Sequence, residues 1–164
     1  MIELLATPLM CLALNVYHEA RNESTMGQLA VAQVVLNRVE DDRFPDDVCA
    51  VITQGIHWES KPAKNRCQFS WYCDGISDEP RNEKAFVRSQ EIAAMVLNGW
   101  THSFADGATH YHADYVMPSW AHTFTKVATI DSHIFYRWIK MNKQEKRLTY
   151  FIIALVALLV LLYS

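Results

Sequence analysis

The chain has 164 residues and a formal net charge of −3. This length predicts one domain that can bury its own core, and the slightly acidic balance gives no electrostatic argument for a nucleic-acid-binding protein. Aromatic residues make up 12% of the chain. They suit a core, but they also suit a carbohydrate groove, because the C–H face of a sugar packs on an aromatic ring.

Two helices are predicted at the start of the chain. Residues 8–20 have helical apolar spacing, and residues 27–40 have so many apolar positions that this helix must be nearly central. Ser24 and Thr25 precede the second helix and can cap its first turn. Asn22 lies in the turn between the two helices, where it can adopt the left-handed conformation that a glycine would otherwise supply.

The remaining elements predict an α+β protein that is mainly helical. A helix is expected within 44–54, with Pro45 in its first turn, whereas 55–82 is irregular and polar. An amphipathic helix over 82–98 ends at Asn98-Gly99. Two later segments alternate as strands do: 108–121 and 126–138.

Four cysteines allow three complete disulfide pairings, and the sequence alone does not choose among them. Cys67 and Cys73 bracket a short loop that a disulfide could close, and Cys49–Cys67 is a second plausible bridge. A zinc site is disfavoured because the spacing is not C-x-x-C and no second pair follows. A bridge would imply an oxidising compartment, while free buried thiols are the alternative.

The tail predicts a membrane helix. Residues 148–164 contain an uncharged apolar run, and the preceding connector, 139–147, is basic. The run is short, since about 16 residues at ~1.5 Å each span roughly 24 Å of a hydrocarbon core of about 30 Å. A buried hairpin helix and an interfacial segment are the alternatives. The folded domain is therefore predicted over 1–138, and the basic flank favours a cytoplasmic position for it.

The stretch NVYHEARNES places two carboxylates at the end of the first helix. Glu19 and Glu23 are four residues apart and would share a helix face unless the turn at Asn22 separates them. They could form a solvated face or pair with Arg21 or Arg38. Alternatively, one of them lies against apolar surroundings, which raise the pKa of a carboxyl group and keep its proton available near neutral pH.

Several segments, in this order, resemble the SleB/CwlJ-type cell-wall hydrolases: YHEARNES, GQLAVAQVVLNRV, FPDDVCAVI, CQFSWYCDG, ATHYHA, PSWA and HIFY. The resemblance covers about residues 10–137, and Asn22 replaces the glycine of the family's usual E-A-R-G-E. It implies a lysozyme-like domain similar to lytic transglycosylases. It also implies that Glu19 is the catalytic acid and base and that peptidoglycan glycan strands are the substrate. Glu23 is expected to give structural or electrostatic support and to be among the substrate-binding residues. No cofactor is implied.

The same resemblance suggests residues that line the substrate groove. The family's Q-F-S segment matches Gln68, Phe69 and Ser70, in a stretch that reads as a short strand or a structured loop. Its T-H-Y segment matches Thr109, His110 and Tyr111. Trp120 could stack on a sugar and Tyr136 belongs to the H-x-F-Y element, although core packing and an ordinary half-buried strand explain them as well.

Two other functions are compatible with the sequence. His110, His112 and His133 could hold zinc in an amidase or peptidase that acts on the peptide stems, although H-E-x-x-H is absent. The second alternative function is that of a non-catalytic wall-binding or holin-like membrane protein. The apolar tail on a small wall hydrolase, without a recognisable secretory signal, suggests a phage lysis or virion enzyme. Such an enzyme would be anchored in the host inner membrane by a single C-terminal span.

Overall fold

A computed structural model of the chain describes residues 7–59, 61–100, 105, 107–138, 151, 152 and 155. The α-helices are α1 (Pro8–Ala20), α2 (Thr25–Val39), α3 (Val48–Ile52) and α4 (Glu83–Leu97). The strands are β1 (Gly55–Trp58), β2 (Lys61–Cys67), β3 (His110–Ala113), β4 (Thr125–Ile130) and β5 (His133–Arg137). Two short 3-10 helices cover Ser70–Cys73 and Ser119–Thr123. The α+β, mainly helical prediction is confirmed.

Helix α2 lies at the centre of the domain, as its sequence predicts. One side of it packs with α1, α3 and α4 in a core that includes Leu12, Leu14 and Ile92. Its other side, with Val31 and Val34, packs against Phe135 of the sheet. A helix with apolar neighbours on two sides needs apolar residues around most of its circumference.

The strands form two antiparallel sheets. One is the β1–β2 hairpin, and the other has the order β3-β5-β4. In the second sheet Tyr111 is opposite Phe135, and His110 is opposite Tyr136. Because neighbours across a pair share a face and successive residues alternate, Tyr111 and Phe135 face α2. His110 and Tyr136 lie on the opposite face.

Local chemistry explains most helix boundaries. Ser24 is the N-cap of α2 and accepts from the backbone N–H of Gly27 at 3.3 Å, as expected for a capping serine. Asn82 is the N-cap of α4 and Asn98 is its C-cap. Gly99 follows with a φ of 83° and donates to the carbonyl of Val96, so both ends of this helix agree with the sequence prediction.

Several local predictions are wrong. Asn22 is not in the left-handed region, because α1 ends on a right-handed cap at Arg21 and the chain turns by a Glu23 N–H bond to the Ala20 carbonyl. The third helix begins at Val48 on an Asp47 cap, so Pro45 lies before its first turn.

The strand regions also differ from the sequence prediction. Residues 55–58 and 61–67, predicted to be irregular, form the β1–β2 hairpin. In 108–121 only 110–113 is a strand, whereas 126–138 contains parts of two strands joined at Asp131, where φ is 49°. The alternation changes phase across that turn, because Ile130 pairs with His133 and Ala128 with Phe135, and residues that are opposite each other share a face.

Two disulfides join the cysteines as Cys11–Cys49 and Cys67–Cys73. The predicted Cys67–Cys73 bridge is confirmed and the alternative Cys49–Cys67 is wrong. The first bridge links α1 to α3, and the second links β2 to the 3-10 helix Ser70–Cys73. Each therefore ties a short element to a neighbouring one.

The C-terminal prediction concerns residues that are mostly not described. Within the described ranges, no helix has the length and apolar character needed to cross a membrane. The basic connector 139–147 lies outside those ranges, as does 148–164 apart from Phe151, Ile152 and Leu155. These three residues are helical and exposed.

Candidate active site

Glu19 lies in the last turn of α1, partly buried between the helices and the sheet. Its Oε2 accepts a hydrogen bond of 3.0 Å from the hydroxyl of Tyr111. Burial raises the pKa of the Glu19 carboxyl above its ordinary 4.5, and the Tyr111 hydrogen bond and the charge of Arg38 oppose this increase. A carboxyl group in such surroundings can hold a proton and release it to a bound group.

Tyr111 is held by the sheet face that packs on α2. Its ring contacts those of His133 and Phe135, with centroids 5.1 and 5.6 Å apart. Burial raises the pKa of Tyr111 well above 10, and the adjacent Glu19 charge raises it further. The hydroxyl is therefore a neutral donor whose direction is set by a packed ring.

Arg38, near the end of α2, places a cation close to this pair. Its side chain is buried, its Nε donates to the carbonyl of Thr109 at 2.7 Å, and its guanidinium lies 5.2 and 5.1 Å from the rings of Phe44 and Phe69. Burial lowers the pKa of Arg38, while Tyr111 and Glu19 raise it. Two residues expected at the groove, Phe69 and Thr109, thus hold Arg38 in position.

Glu23 is not a free carboxylate, because Ser132 donates hydrogen bonds to it. Its oxygens accept from the Ser132 hydroxyl at 2.6 Å and from the Ser132 backbone N–H at 3.2 Å. Next to it, the backbone N–H and hydroxyl of Ser24 donate to Asp131. A Cβ at Gly27 would collide with the Asp131 carboxylate. The turn after α1 is therefore joined closely to the β4–β5 turn.

The segment after the hairpin packs beside the end of α1. The ring of Trp71 stacks on His18 at 4.6 Å, and its Nε1 donates to the buried Asn15 side chain at 3.1 Å. Gln68 and Ser70 are exposed on either side of the buried Phe69. Residues 68–72 thus form a structured loop with a 3-10 turn, which was one of the two predicted forms.

The other predicted groove residues occupy the opposite face of the sheet. His110 and Tyr136 share that face, and Trp120 packs on both, with ring centroids 5.4 and 5.6 Å away. Burial and the charges of Arg38 and Arg43 lower the pKa of His110 to about 4. The structure brings these three residues together, but it separates them from the Tyr111 face.

The zinc alternative fails on the same geometry. His110 and His112 share one face of the sheet, whereas His133 packs on Tyr111 on the other face. His112 instead pairs with Tyr136, its Nε2 lying 3.0 Å from the phenol oxygen. Among the residues described here, no group of three His, Cys, Asp or Glu side chains could hold a metal ion.

Sequence reasoning missed some of the site. The sequence indicates Arg38 only as an ion-pair partner, whereas the structure buries its side chain beside Glu19 and Tyr111. Asp78 also lies in this region: it is buried near His18, and its backbone carbonyl lies 3.0 Å from His18 Nε2. Burial raises the pKa of Asp78, and the His18 charge opposes this. No pattern in the polar segment 74–82 marks this residue.

The sequence and the fold match a known family of proteins. The family model described as Cell Wall Hydrolase (Hydrolase_2) matches residues 22–136, so the chain belongs to that family. The catalytic domain of the germination-specific lytic transglycosylase SleB from Bacillus anthracis is similar, with a TM-score of 0.61 and 30% identity over 79% of this chain and 93% of that one. The matched range of the family model begins after Glu19.

Particular relatives include bacterial spore enzymes. The spore cortex-lytic enzyme of Oceanobacillus iheyensis is 36% identical over 121 residues, which is 73% of this chain and 38% of that protein. The spore cortex-lytic enzyme of Bacillus subtilis is 31% identical over 76% of this chain and 35% of its own length. The chain thus spans little more than a third of these relatives. The predicted SleB/CwlJ-type resemblance is confirmed.

Proposed function

We propose that this protein cleaves the glycan strands of peptidoglycan at the bond between MurNAc and GlcNAc, with Glu19 as the single acid and base. The observation that carries this proposal is the partly buried Glu19 carboxyl, whose pKa is raised by burial and whose Oε2 is held by Tyr111. Membership of the cell wall hydrolase family supports the substrate class.

In the proposed reaction, protonated Glu19 donates its proton to the glycosidic oxygen while the bond from that oxygen to the MurNAc anomeric carbon breaks. The resulting carboxylate is stabilised by the Tyr111 hydroxyl and the Arg38 charge. It then takes the proton of the MurNAc 6-hydroxyl, whose oxygen bonds to the anomeric carbon. The products are a GlcNAc end and a 1,6-anhydro-MurNAc end, and no water is consumed.

The position of Glu23 favours this reaction over ordinary hydrolysis. Two-carboxylate mechanisms need a second carboxylate that can act as nucleophile or activate water. Both oxygens of Glu23 accept hydrogen bonds from Ser132. Glu19 instead has the Tyr111 phenol as its hydrogen-bond donor and the Arg38 guanidinium as its nearby charge. A single residue that first gives and then takes a proton fits these surroundings.

Substrate contacts are proposed on the Glu19 side of the domain. Gln68 and Ser70 are exposed next to Phe69, which packs on Arg38. They are therefore better placed for a glycan strand than His110, Trp120 or Tyr136 on the far face of the sheet.

The test is Glu19→Gln, with Glu23→Gln as the matched control. We expect Glu19→Gln to slow turbidity loss of peptidoglycan suspensions by about 10²–10⁴-fold, the usual contribution of a general acid and base. Mass spectrometry of the muropeptides released by the unmodified protein should find 1,6-anhydro ends. Undiminished activity of Glu19→Gln would overturn the assignment, and reducing MurNAc ends alone would overturn the transglycosylase reaction.

We also propose that residues 148–164 anchor the protein in a membrane, as a lysis enzyme of a phage would be anchored in its host. The uncharged apolar run and the basic 139–147 segment support this, as do the exposed apolar side chains of Phe151, Ile152 and Leu155. Carbonate extraction of membranes should leave the full chain in the pellet and release a variant that ends at residue 138. Release of both would contradict the anchor.

A further inference from the structure

The β1–β2 hairpin (55–58 and 61–67) is the least buried part of the described domain. All four residues of β1 are exposed, and Ile56 and Trp58 remain 54% and 74% accessible. Most of β2 is exposed or only partly covered. A two-stranded hairpin is marginally stable alone, and here it is tied to the domain through the Cys67–Cys73 bridge.

The hairpin carries a local positive charge on an acidic protein. Lys61, Lys64 and Arg66 are exposed on β2, against the single acid Glu59, whereas the whole chain has a net charge of −3. The ion pairs found among described residues are Arg43–Asp41 and Arg88–Glu91, so no ion pair there neutralises the hairpin. Lys61 lies directly opposite Trp58, which places a cation beside a large exposed ring.

A series of ring contacts connects the hairpin to the catalytic end of α1. The ring centroids of His57 and Tyr72 are 6.4 Å apart, and those of Tyr72 and Trp71 are 6.2 Å apart. The Trp71 ring in turn stacks on His18, with centroids 4.6 Å apart. His18 immediately precedes Glu19. The hairpin therefore stands beside the segment that borders Glu19, and a polymer lying at Glu19 could also reach the hairpin.

We propose that this hairpin binds the acidic peptide stems of peptidoglycan while the glycan strand occupies the Glu19 site. The stems project from MurNAc and carry free carboxylates, which Lys61, Lys64 and Arg66 would pair with; Trp58 would cover the apolar parts of the stem. This inference rests on the proposed function, because it assigns a second part of the same substrate to a second surface.

The test measures binding of the full chain to intact wall sacculi and to sacculi whose stems have been removed by an amidase. The Glu19→Gln background keeps the sacculi undigested. In that background, Lys61→Glu with Lys64→Glu should weaken binding to intact sacculi about five- to tenfold, since an exposed ion pair contributes up to about fivefold. The control is Lys126→Glu, which makes the same charge change as either single substitution at an exposed position of β4 and should have no effect.

Stem removal should weaken binding by the unmodified hairpin and abolish the difference between it and the double variant. Added salt should reduce that difference, because exposed charges are screened. Equal binding of both hairpins to intact sacculi would overturn the proposal. It would also fail if binding depended on phosphate-containing wall polymers, removed by acid, rather than on stems.

The hairpin and active-site proposals fail in different measurements. Undiminished glycan cleavage by Glu19→Gln would overturn the role of Glu19; binding would then be compared on ice after a short incubation, so that the sacculi stay intact in that case too. The lysines could instead serve only to keep an exposed strand edge from pairing with other chains. Glutamate, which is also charged, would serve that purpose equally well. The double variant would then bind normally.

Discussion

Tyr111→Phe tests the hydrogen bond on which the proposed chemistry depends. The substitution removes one hydroxyl, which donates to Glu19 Oε2 at 3.0 Å, and keeps the ring packed between His133 and Phe135. The hydrogen bond lowers the pKa of Glu19, against the larger effect of burial. Without it, the carboxylate loses a stabilising partner and the pKa of Glu19 rises further.

The size of the effect follows from the charge of the acceptor. A hydrogen bond to an ionised group contributes about 1.5–3 kcal/mol, and a neutral one about 0.5–1.5 kcal/mol. Since ~1.4 kcal/mol corresponds to about tenfold in rate, we expect glycan cleavage to slow by roughly tenfold. The alkaline limb of the pH–activity profile should move to higher pH, because the variant holds its catalytic proton longer.

The free energy of unfolding should also depend on pH through the protonation of Glu19. Because burial raises the folded-state pKa of Glu19 above 4.5, its contribution to the free energy of unfolding is present below that pH and is lost as pH rises through the folded-state pKa. Tyr111→Phe should deepen this loss, with a destabilisation of about 1 kcal/mol at pH 4 that roughly doubles by pH 8.

Denaturant unfolding at several pH values and turbidity assays check both expectations. Tyr115→Phe is the control, since Tyr115 is 85% exposed and should behave like the unmodified chain. A folded Tyr111→Phe protein with the same rate and the same alkaline limb would refute the assigned role of the hydroxyl.

The other predictions concern structure around the site. Glu23→Gln weakens the bonds to Ser132, so it should lower the free energy of unfolding by about 1–2 kcal/mol in urea titrations; a loss of turnover at equal folded fraction would instead make Glu23 catalytic. Replacing Cys11 and Cys49 by alanine opens a loop spanning 38 residues. In the chain-entropy account this costs about 4 kcal/mol, measurable by thermal unfolding, and an unchanged midpoint would contradict that pairing. Arg38→Met leaves the Thr109 carbonyl without its donor, so we expect a loss of about 1–3 kcal/mol together with an alkaline shift of the activity profile. An unshifted profile would show that the Arg38 charge does not reach Glu19.

The helices were predictable because their signals are local. Helix α1 begins and ends where the apolar spacing of 8–20 places it, and α4 agrees within one residue at each end. Their caps are side chains adjacent in sequence. The β1–β2 hairpin was missed because its residues are exposed and so lack an alternating apolar pattern.

The candidate site was only partly predictable from the sequence. Glu19 and Tyr111 were both identified as candidates, but their direct hydrogen bond joins residues 92 positions apart. The sequence could not place Tyr111 on the Glu19 side of the sheet and His110 on the other side, because that depends on which face of β3 meets α2. Nor could it show that Glu23 would accept a hydrogen bond from Ser132, a residue 109 positions away.

The sequence by itself determined the helical segments, the family resemblance and the carboxylate at the end of α1, since each depends on residue types at short spacing. Only the tertiary structure decided which cysteines pair, which face of the sheet meets Glu19, and which hydrogen-bond partner each glutamate has. Those outcomes depend on contacts between distant segments, whose packing sets the burial and the hydrogen-bond partners of each side chain.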